Sequence, residues 1–303
     1  MVSLEDLEHL SPATKELALL DDNTRITRVL SDRWIAYTRA NQGVKKLKWL
    51  LDHPQKIRMP NLLICGPTNN GKTALTQKFL RLCQGGPSLD GRSDIIPVLR
   101  VQMPTSADPL RFYQAILEAL GSPTRKGHRL VDRESQALHL MRTTGVRMLI
   151  IDELQHCLVG QSSKLSEVLN ILKYVGNDLQ IPLVGVGTKE SLQVIHSDDQ
   201  LANRFEPFAL PRWHDDDDLL MLLNSFEASL PLRRKSDLAN PVLARRILAL
   251  SEGILGEMST LITRAAEIAI RSGDERIATS TLDSVDYQPP SSRRIAPVAM
   301  LVD

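Results

Sequence analysis

A glycine-framed loop with the spacing G-x-x-x-x-G-K-[ST] constrains this chain more than any other feature. The apolar run 61–65 precedes the loop and a helix-forming stretch, 74–80, follows it, which is the context that a phosphate-binding motif requires. The loop consists of Gly66, Pro67, Thr68, Asn69, Asn70, Gly71, Lys72 and Thr73. The sequence therefore predicts a nucleotide-phosphate site between a strand and a helix.

Each residue type in the loop has a chemical reason to be there. Gly66 and Gly71 allow the backbone to bend so that successive N–H groups converge on phosphate oxygens, and the N-terminus of the next helix adds to that attraction. Lys72 is long enough to reach the β- and γ-phosphates, and the hydroxyl of Thr73 can bind Mg²⁺. We expect a nucleoside triphosphate and Mg²⁺ as the ligands.

An apolar run that ends in two acids predicts the second half of the site. Residues 146–151 are suited to a buried parallel strand, and Asp152 and Glu153 follow directly. Asp152 would hold Mg²⁺, and Glu153 would orient and deprotonate the water that attacks the γ-phosphate. The alternative is an acidic turn at a strand end.

Charge composition limits how the chain can meet nucleic acid. The formal net charge is +1, from 37 basic and 36 acidic residues, so any DNA contact must come from a local patch. The loop 124–129 is one candidate, with Arg125, Lys126 and Arg129 as phosphate contacts. The alternative is a basic loop that is merely solvated.

Cysteine usage and hydropathy indicate the compartment. Cys65, Cys83 and Cys157 form no C-x-x-C pair, which favours a reducing environment. The acidic N-terminus lacks an apolar signal core, and no window approaches the about 18 uninterrupted apolar residues of a membrane span. We expect a cytoplasmic protein without a membrane segment.

Strand and helix patterns alternate through the middle of the chain and predict an α/β fold, with a five-stranded parallel sheet sandwiched by helices. The pattern predicts an N-terminal helical extension (1–56), a nucleotide-binding domain (57–212), a helical lid (213–286) and a flexible tail (287–303). The expected strands are 61–65, 95–101, 146–151, 181–188 and 206–210, and among the expected helices are 24–39, 42–53 and 167–179. The acidic run 215–218 is predicted to cap a helix.

Thr188 ends the fourth expected strand with a hydroxyl group. At that place it could touch the γ-phosphate or the attacking water. It could equally cap the next helix, since threonine is a common N-cap residue. The residues alone leave both roles open.

The arrangement resembles the AAA+ ATPases, and within them the TniB family of transposition ATPases, with TnsC and MuB as relatives. The resemblance rests on Arg58-Met59-Pro60-Asn61 before the loop, Asn69-Asn70 inside it, the segment 149–156 around Asp152-Glu153, and Gly185-Val186-Gly187-Thr188. These segments extend over most of residues 25–270.

This resemblance implies a protein that assembles as a homo-oligomeric ring or helical filament on double-stranded DNA in its ATP state. It also implies a partner transposase of the TniA/TnsB type and a TniQ-like targeting protein. By position, Thr188 matches the first sensor and Arg204 matches the finger that reaches a neighbouring subunit's γ-phosphate. The alternative for Arg204 is a local pair with an acid such as Glu206.

One position departs from the AAA+ pattern. Many AAA+ lids carry arginine in a Gly-x-x-Arg motif, whereas Gly253-Ile254-Leu255-Gly256 ends in glycine. We therefore expect slow, regulatory hydrolysis, with the nucleotide acting as a switch.

Three other functions fit parts of this pattern. A replication initiator or helicase loader has the same fold but should bring a helicase-binding segment or a helix-turn-helix. A small-molecule kinase uses the same loop but places an acceptor lid between strands. An interaction module that never hydrolyses nucleotide would not need Glu153.

Overall fold

Five parallel strands form one sheet in the part of the chain that the structure describes, with the spatial order β2-β3-β4-β1-β5. The structure is a computed structural model, and it describes residues 7–86, 94–122, 127 and 129–293. The predicted five-stranded parallel sheet is confirmed. The strands are β1 (Asn61–Cys65), β2 (Val98–Gln102), β3 (Met148–Asp152), β4 (Leu183–Gly187) and β5 (Phe205–Ala209).

Burial follows the position of each strand in the sheet. Every residue of β1, β3 and β4 is buried, as expected for interior strands that are covered on both faces. In the edge strand β5 only Phe205 and Phe208 are buried. β1 pairs with β4 on one side and β5 on the other, so that Cys65 aligns with Gly187 and Ala209. The carboxyl ends of these strands therefore meet at one edge.

Helices connect the strands and continue after the last one. They are α1 (Pro12–Ala18), α2 (Asp22–Leu30), α3 (Thr38–Leu51), α4 (Lys72–Leu82), α5 (Pro109–Ala119), α6 (Leu130–Thr143), α7 (Ser162–Asp178), α8 (Ser191–His196), α9 (Asp199–Ala202), α10 (Asp217–Ser229), α11 (Pro241–Ser251), α12 (Leu255–Ser272) and α13 (Thr279–Asp283). A short 3₁₀ helix, Leu154–Leu158, follows β3.

The predicted helix over 24–39 is wrong in its second half. α2 ends at Leu30 because Ser31 adopts an extended conformation, and Thr38 already belongs to α3. The apolar side chains of Trp34 and Ile35, which continued the helical pattern in the sequence, pack from the irregular segment between the two helices. The helix predicted over 167–179 also begins five residues earlier, at Ser162.

Grouping by contacts divides the chain into two compact units. The sheet unit comprises residues 42–68 and 72–210, and the helical unit comprises residues 1–41, 69–71 and 211–303. The sheet unit's core forms around β1 to β4 and includes the fully buried Phe112, Tyr113 and Ile116 of α5. α1, α2 and residues 38–41 of α3 thus group with the C-terminal helices, whereas α3 from residue 42 onward groups with the sheet.

The helical unit has its own core, in which Ile26 and Val29 of α2 pack with residues from α10 to α13. Asp216 is the N-cap of α10 and accepts a hydrogen bond from the Leu219 N–H at 3.0 Å, so the predicted capping role of the acidic run is confirmed. Among the described residues, no helix is both long enough and apolar enough to cross a membrane.

A fully buried arginine ties α2 into this unit. The Arg25 guanidinium donates to both oxygens of Glu275, at 2.8 and 2.6 Å, and to the carbonyl of Pro231 at 2.9 Å. Such a bidentate pair has strong directional constraints. It joins a residue near the N-terminus to the loop after α12.

We expect Arg25→Met to lower the free energy of unfolding by about 3–5 kcal/mol, because it leaves the Glu275 carboxylate buried without its main partner. Arg246→Met is the matched control: Arg246 and Asp283 form an ion pair in which both side chains are about half exposed, and its removal should cost less than about 1 kcal/mol. Urea unfolding measures the free energy of unfolding of both variants. Equal decreases in the two would contradict a special stabilising role of the buried pair of Arg25 and Glu275.

Candidate nucleotide site

The phosphate loop leaves β1 through a point where no side chain fits. A Cβ atom on Gly66 would lie 2.4 Å from the carbonyl oxygen of Leu210, whose own N–H donates to the Cys65 carbonyl at 2.8 Å. Further along the loop, Asn69 and Gly71 have φ angles of 59° and +85°, in the left-handed region. The predicted need for glycine at positions 66 and 71 therefore has a geometric basis in the structure.

Lys72 is 7% exposed, and its ammonium group bonds to the loop itself. Its Nζ donates to the carbonyl oxygens of Gly66 and Pro67, at 2.9 and 2.6 Å. Burial lowers the pKa of Lys72, while the charges of Glu153 and Asp152 oppose that shift. β1 and β3 both pair with β4, so the loop and the two acids follow strands on either side of β4; their joint role in one site stays a prediction.

Asp152 and Thr73 have oxygen atoms of the kind that would bind Mg²⁺. Asp152 is buried, and its Oδ1 accepts from the Glu153 N–H at 3.0 Å. Thr73 is exposed in the first turn of α4. A carboxylate and a hydroxyl are hard ligands, so this donor set fits the cation.

Arg100 is a site residue that the sequence analysis missed. It lies on β2, and its Nη2 donates to Oδ2 of Asp152 at 2.5 Å. β2 and β3 are neighbours in the sheet, with Gln102 aligned with Asp152. The only signal in the sequence was an arginine inside the apolar run 95–101.

Glu153 turns the chain sharply after β3. It has a left-handed backbone, with φ 56° and ψ 40°, and is the N-cap of the 3₁₀ helix Leu154–Leu158. Its half-buried carboxylate accepts a hydrogen bond from Nε2 of Gln155. A carboxylate next to Asp152 and close to Lys72 has the chemistry of a general base toward water.

Thr188 lies directly after β4, as predicted, but its hydroxyl bonds locally. The Oγ1 donates to Oε2 of Glu190 at 2.5 Å, and the backbone N–H donates to Oε1 of Gln155 at 3.1 Å. The N-cap of α8 is Glu190 and not Thr188, so the capping alternative is wrong. Its role as a sensor of nucleotide stays a prediction.

Arg204 precedes β5 and is partly exposed. Its Nη1 donates to the amide oxygen of Asn177 at 2.8 Å, and its carbonyl accepts from the Asn61 N–H at 3.0 Å. Glu206 is instead paired with Lys46, so the alternative pair between Arg204 and Glu206 is not formed. The role of Arg204 toward a neighbouring subunit stays a prediction.

Within the helical unit, Asn69 occupies the space beside α12. The N–H of Gly256 donates to the Asn69 carbonyl at 2.8 Å, and a Cβ on Gly256 would lie 2.0 Å from the Asn69 side-chain oxygen. Asn70 is bonded in the same region, to the Leu255 N–H at 3.0 Å and the Pro211 carbonyl at 2.7 Å. A larger side chain at position 256 would therefore require the Asn69 side chain to move.

A buried carboxylate follows that glycine. Glu257 accepts hydrogen bonds from Nδ2 of Asn69 at 3.2 Å, from the Tyr287 hydroxyl at 2.6 Å and from Arg293. Burial alone would raise the pKa of Glu257, but the bonds from Arg293 and Tyr287 outweigh it and leave the pKa lowered. Tyr287 and Arg293 belong to the stretch that the sequence predicts as a flexible tail, and their contacts were not foreseen.

The predicted DNA contact comprises Arg125, Lys126 and Arg129. Arg125 and Lys126 fall outside the described residues. Arg129 is exposed immediately before α6, and its backbone N–H donates to Asp132 at 3.0 Å. The DNA-contact role of these three residues stays a prediction.

Comparison with known proteins adds a family and a fold. A family model described as "Bacterial TniB protein" matches residues 25–215. No curated protein sequence matches the chain. Among solved structures, the ORC2 protein of Aeropyrum pernix in ADPNP–ADP complexes matches with TM-score 0.56 and 16% identity, over 84% of this chain and 70% of that one.

Two further structures give the same picture. The ORC1 protein of Aeropyrum pernix in complex with DNA matches with TM-score 0.53 and 18% identity, over 86% of this chain and 68% of that one. Cdc6p of Pyrobaculum aerophilum matches with TM-score 0.53 and 16% identity, over 86% and 69%. At these identities the likeness concerns the fold, which is the AAA+ P-loop fold predicted from the sequence.

We expect Lys72→Ala to abolish ATP binding, because it removes the charge that faces the phosphates. Glu153→Gln should bind ATP as the parent does yet hydrolyse it about 10²–10⁴-fold more slowly, since it removes the base and spares Asp152. Equilibrium dialysis and phosphate release measure the two properties. Lys78→Ala, on α4 but outside the loop, is the control, and equally weakened ATP binding in all three variants would refute the assignment.

Proposed function

We propose that this chain, which belongs to the bacterial TniB protein family and is an ATPase, assembles on duplex DNA in its ATP state. We further propose that it recruits a transposase there. The observation that supports this proposal is that β1 and β3, which lead into the phosphate loop and into Asp152 and Glu153, both pair with β4 in a chain that matches that family. In this role the nucleotide acts as a switch, and hydrolysis serves disassembly.

The residues of the site have distinct tasks in hydrolysis. The loop N–H groups and Lys72 bind the β- and γ-phosphates, and Thr73 with Asp152 would hold Mg²⁺. A bound Mg²⁺ supplies positive charge to the phosphate oxygens. Glu153 takes a proton from water as the water oxygen bonds to the γ-phosphorus; the bond to the β–γ bridging oxygen breaks, and its electron pair leaves with ADP.

The protein is proposed to form a homo-oligomer, either a ring or a helical filament, in which Arg204 reaches the nucleotide of an adjacent subunit. Its partner Asn177 is a neutral amide, so the guanidinium charge is not cancelled by that contact. A permanent positive charge of this kind can stabilise a transferring phosphate when it comes from an adjacent subunit.

Duplex binding is proposed to be largely independent of DNA sequence. Arg125, Lys126 and Arg129 are residues that contact phosphates, and phosphate contacts position a protein without reading bases. The fold neighbour ORC1 of Aeropyrum pernix was solved in complex with DNA, which makes DNA binding compatible with this fold. A TniA/TnsB-like transposase and a TniQ-like targeting protein are the partners that the TniB family suggests.

A replication initiator or helicase loader is the runner-up. The likeness to ORC and Cdc6 proteins favours it, but that likeness concerns the fold alone, whereas the TniB model matches the sequence itself. Stimulation of a transposase, and not of a helicase, would separate the two functions.

We expect duplex binding to require ATP, to persist in Glu153→Gln and to be abolished in Lys72→Ala.

Replacing Arg125, Lys126 and Arg129 by glutamine should flatten the dependence of log affinity on log salt concentration by up to about 1 for each phosphate that is no longer neutralised. Fluorescence anisotropy across a salt series measures this, with Lys235→Gln as a control for an exposed lysine. An unchanged slope would show that these three residues do not contact DNA. Separately, electron microscopy of the protein with ATP and duplex DNA should show rings or filaments.

We expect Arg204→Ala to bind ATP and to be inactive in hydrolysis, because the arginine acts on a neighbour's nucleotide. Mixing it with Lys72→Ala, which has an intact arginine but cannot bind ATP, should restore part of the activity. Phosphate release from the mixture at several ratios measures the rescue. Absence of rescue together with a lowered melting temperature would show that Arg204 only stabilises the chain through Asn177.

A further inference from the structure

The side-chain amide of Gln155 joins three segments of the sheet unit at the edge where β3 and β4 end. Its Nε2 donates to Oε2 of Glu153, and its Oε1 accepts from the Thr188 N–H at 3.1 Å and from the Ser191 hydroxyl at 3.2 Å. The amide thus connects the turn after β3 with the residue that follows β4 and with the first residue of α8. None of the tasks assigned above uses it.

The orientation of this amide follows from its partners. The Thr188 backbone N–H can only donate, so the atom that faces it must be the oxygen of Gln155. The nitrogen is then directed at Glu153, whose carboxylate can only accept when ionised. Reversing the amide would place two donors face to face on one side and two acceptors face to face on the other.

The surroundings leave the amide little freedom. Ser191 is fully buried, and its N–H donates to the Thr188 carbonyl at 3.0 Å. A Cβ on Gly187 would lie 2.2 Å from Oε1 of Gln155 and 2.1 Å from Oγ of Ser191, so the glycine leaves the space that both groups occupy. The hydroxyl of Thr188 is directed at Glu190 and not at this cluster. It is therefore the backbone N–H of Thr188, and not its hydroxyl, that bonds to the Gln155 amide, which in turn bonds to Glu153.

We propose that Gln155 is a positioning residue for hydrolysis, which holds one oxygen of the Glu153 carboxylate and leaves the other oxygen for the attacking water. This inference rests on the proposed role of Glu153 as the base. Glu153 lies in a left-handed turn with a half-buried side chain, so its carboxylate needs an external anchor to keep one orientation. Anchoring Gln155 on the end of β4 makes the orientation of the base depend on the position of Thr188. A shift of Thr188 when nucleotide binds is thereby transmitted to Glu153.

The test uses Gln155→Met in the full chain, which keeps length and volume but neither donates nor accepts as an amide does. A misplaced catalytic group can cost about 10²-fold in rate, so we expect kcat to fall about 10- to 100-fold while the ATP dissociation constant stays within about twofold. In a Glu153→Gln background the same substitution should change the residual rate by less than about twofold, because no carboxylate remains to be positioned. Gln193→Met, on the exposed side of α8, should leave kcat unchanged.

Ser191→Ala provides a milder variant if Gln155→Met unfolds. It removes one of the two donors to Oε1, so kcat should fall less than with Gln155→Met and ATP affinity should again be retained. Equal fractional decreases from Gln155→Met in the parent and in the Glu153→Gln background would overturn the positioning role, as would an unchanged kcat in both Gln155→Met and Ser191→Ala. If Glu153→Gln itself leaves hydrolysis intact, the proposed base is wrong, and that result is distinct from a failure at Gln155.

Discussion

Backbone hydrogen bonds from β1 to β4 and β5 set the place of the phosphate loop. The pairing brings Cys65 level with Gly187 and Ala209, and the Leu210 N–H then bonds the Cys65 carbonyl. The chain beyond β5 approaches so closely that only glycine fits at position 66. Because parallel strands deliver all carboxyl ends to one edge, the same alignment brings Lys72 within the electrostatic reach of Asp152 and Glu153.

The buried charged groups each have a specific partner. Lys72 bonds to loop carbonyls, Asp152 to Arg100, and Arg25 to Glu275. Leaving any of these charges buried and unpaired would cost several kcal/mol, on the order of the stability of a whole domain. In the proposed function, nucleotide phosphates would take the place of the carbonyls around Lys72. The pair of Arg25 and Glu275 holds α2 to the loop after α12 within the helical unit.

Local patterns explain which predictions succeeded. The strand β1, the loop between β1 and α4, and the Asp-Glu pair at the end of β3 are each defined by residues that are adjacent in sequence, and each has the predicted local structure. The helix over 24–39 was wrong because Trp34 and Ile35 preserve an apolar pattern while serving the core from an irregular segment. The contacts of Arg100 with Asp152 and of Gln155 with Thr188 depend on strand order, which short-range periodicity does not encode. The functional roles of the individual site residues, from the phosphate loop, Asp152 and Glu153 to Thr188, Arg204 and the basic loop, remain predictions.

The sequence by itself determined the phosphate chemistry, since glycine spacing, a reaching lysine and an Asp-Glu pair after an apolar strand together are specific to nucleotide phosphates. It also determined the fold class, because buried parallel strands appear in the sequence as continuous apolar runs and the helices between them as periodic apolar patterns. Only the tertiary structure decided that α2 groups with the C-terminal helices, that Asn69 fills the space beside Gly256, and that Gln155 anchors Glu153 to the end of β4. These contacts join residues far apart along the chain, or depend on which strands are neighbours, and they follow from the packing of whole elements and not from local pattern.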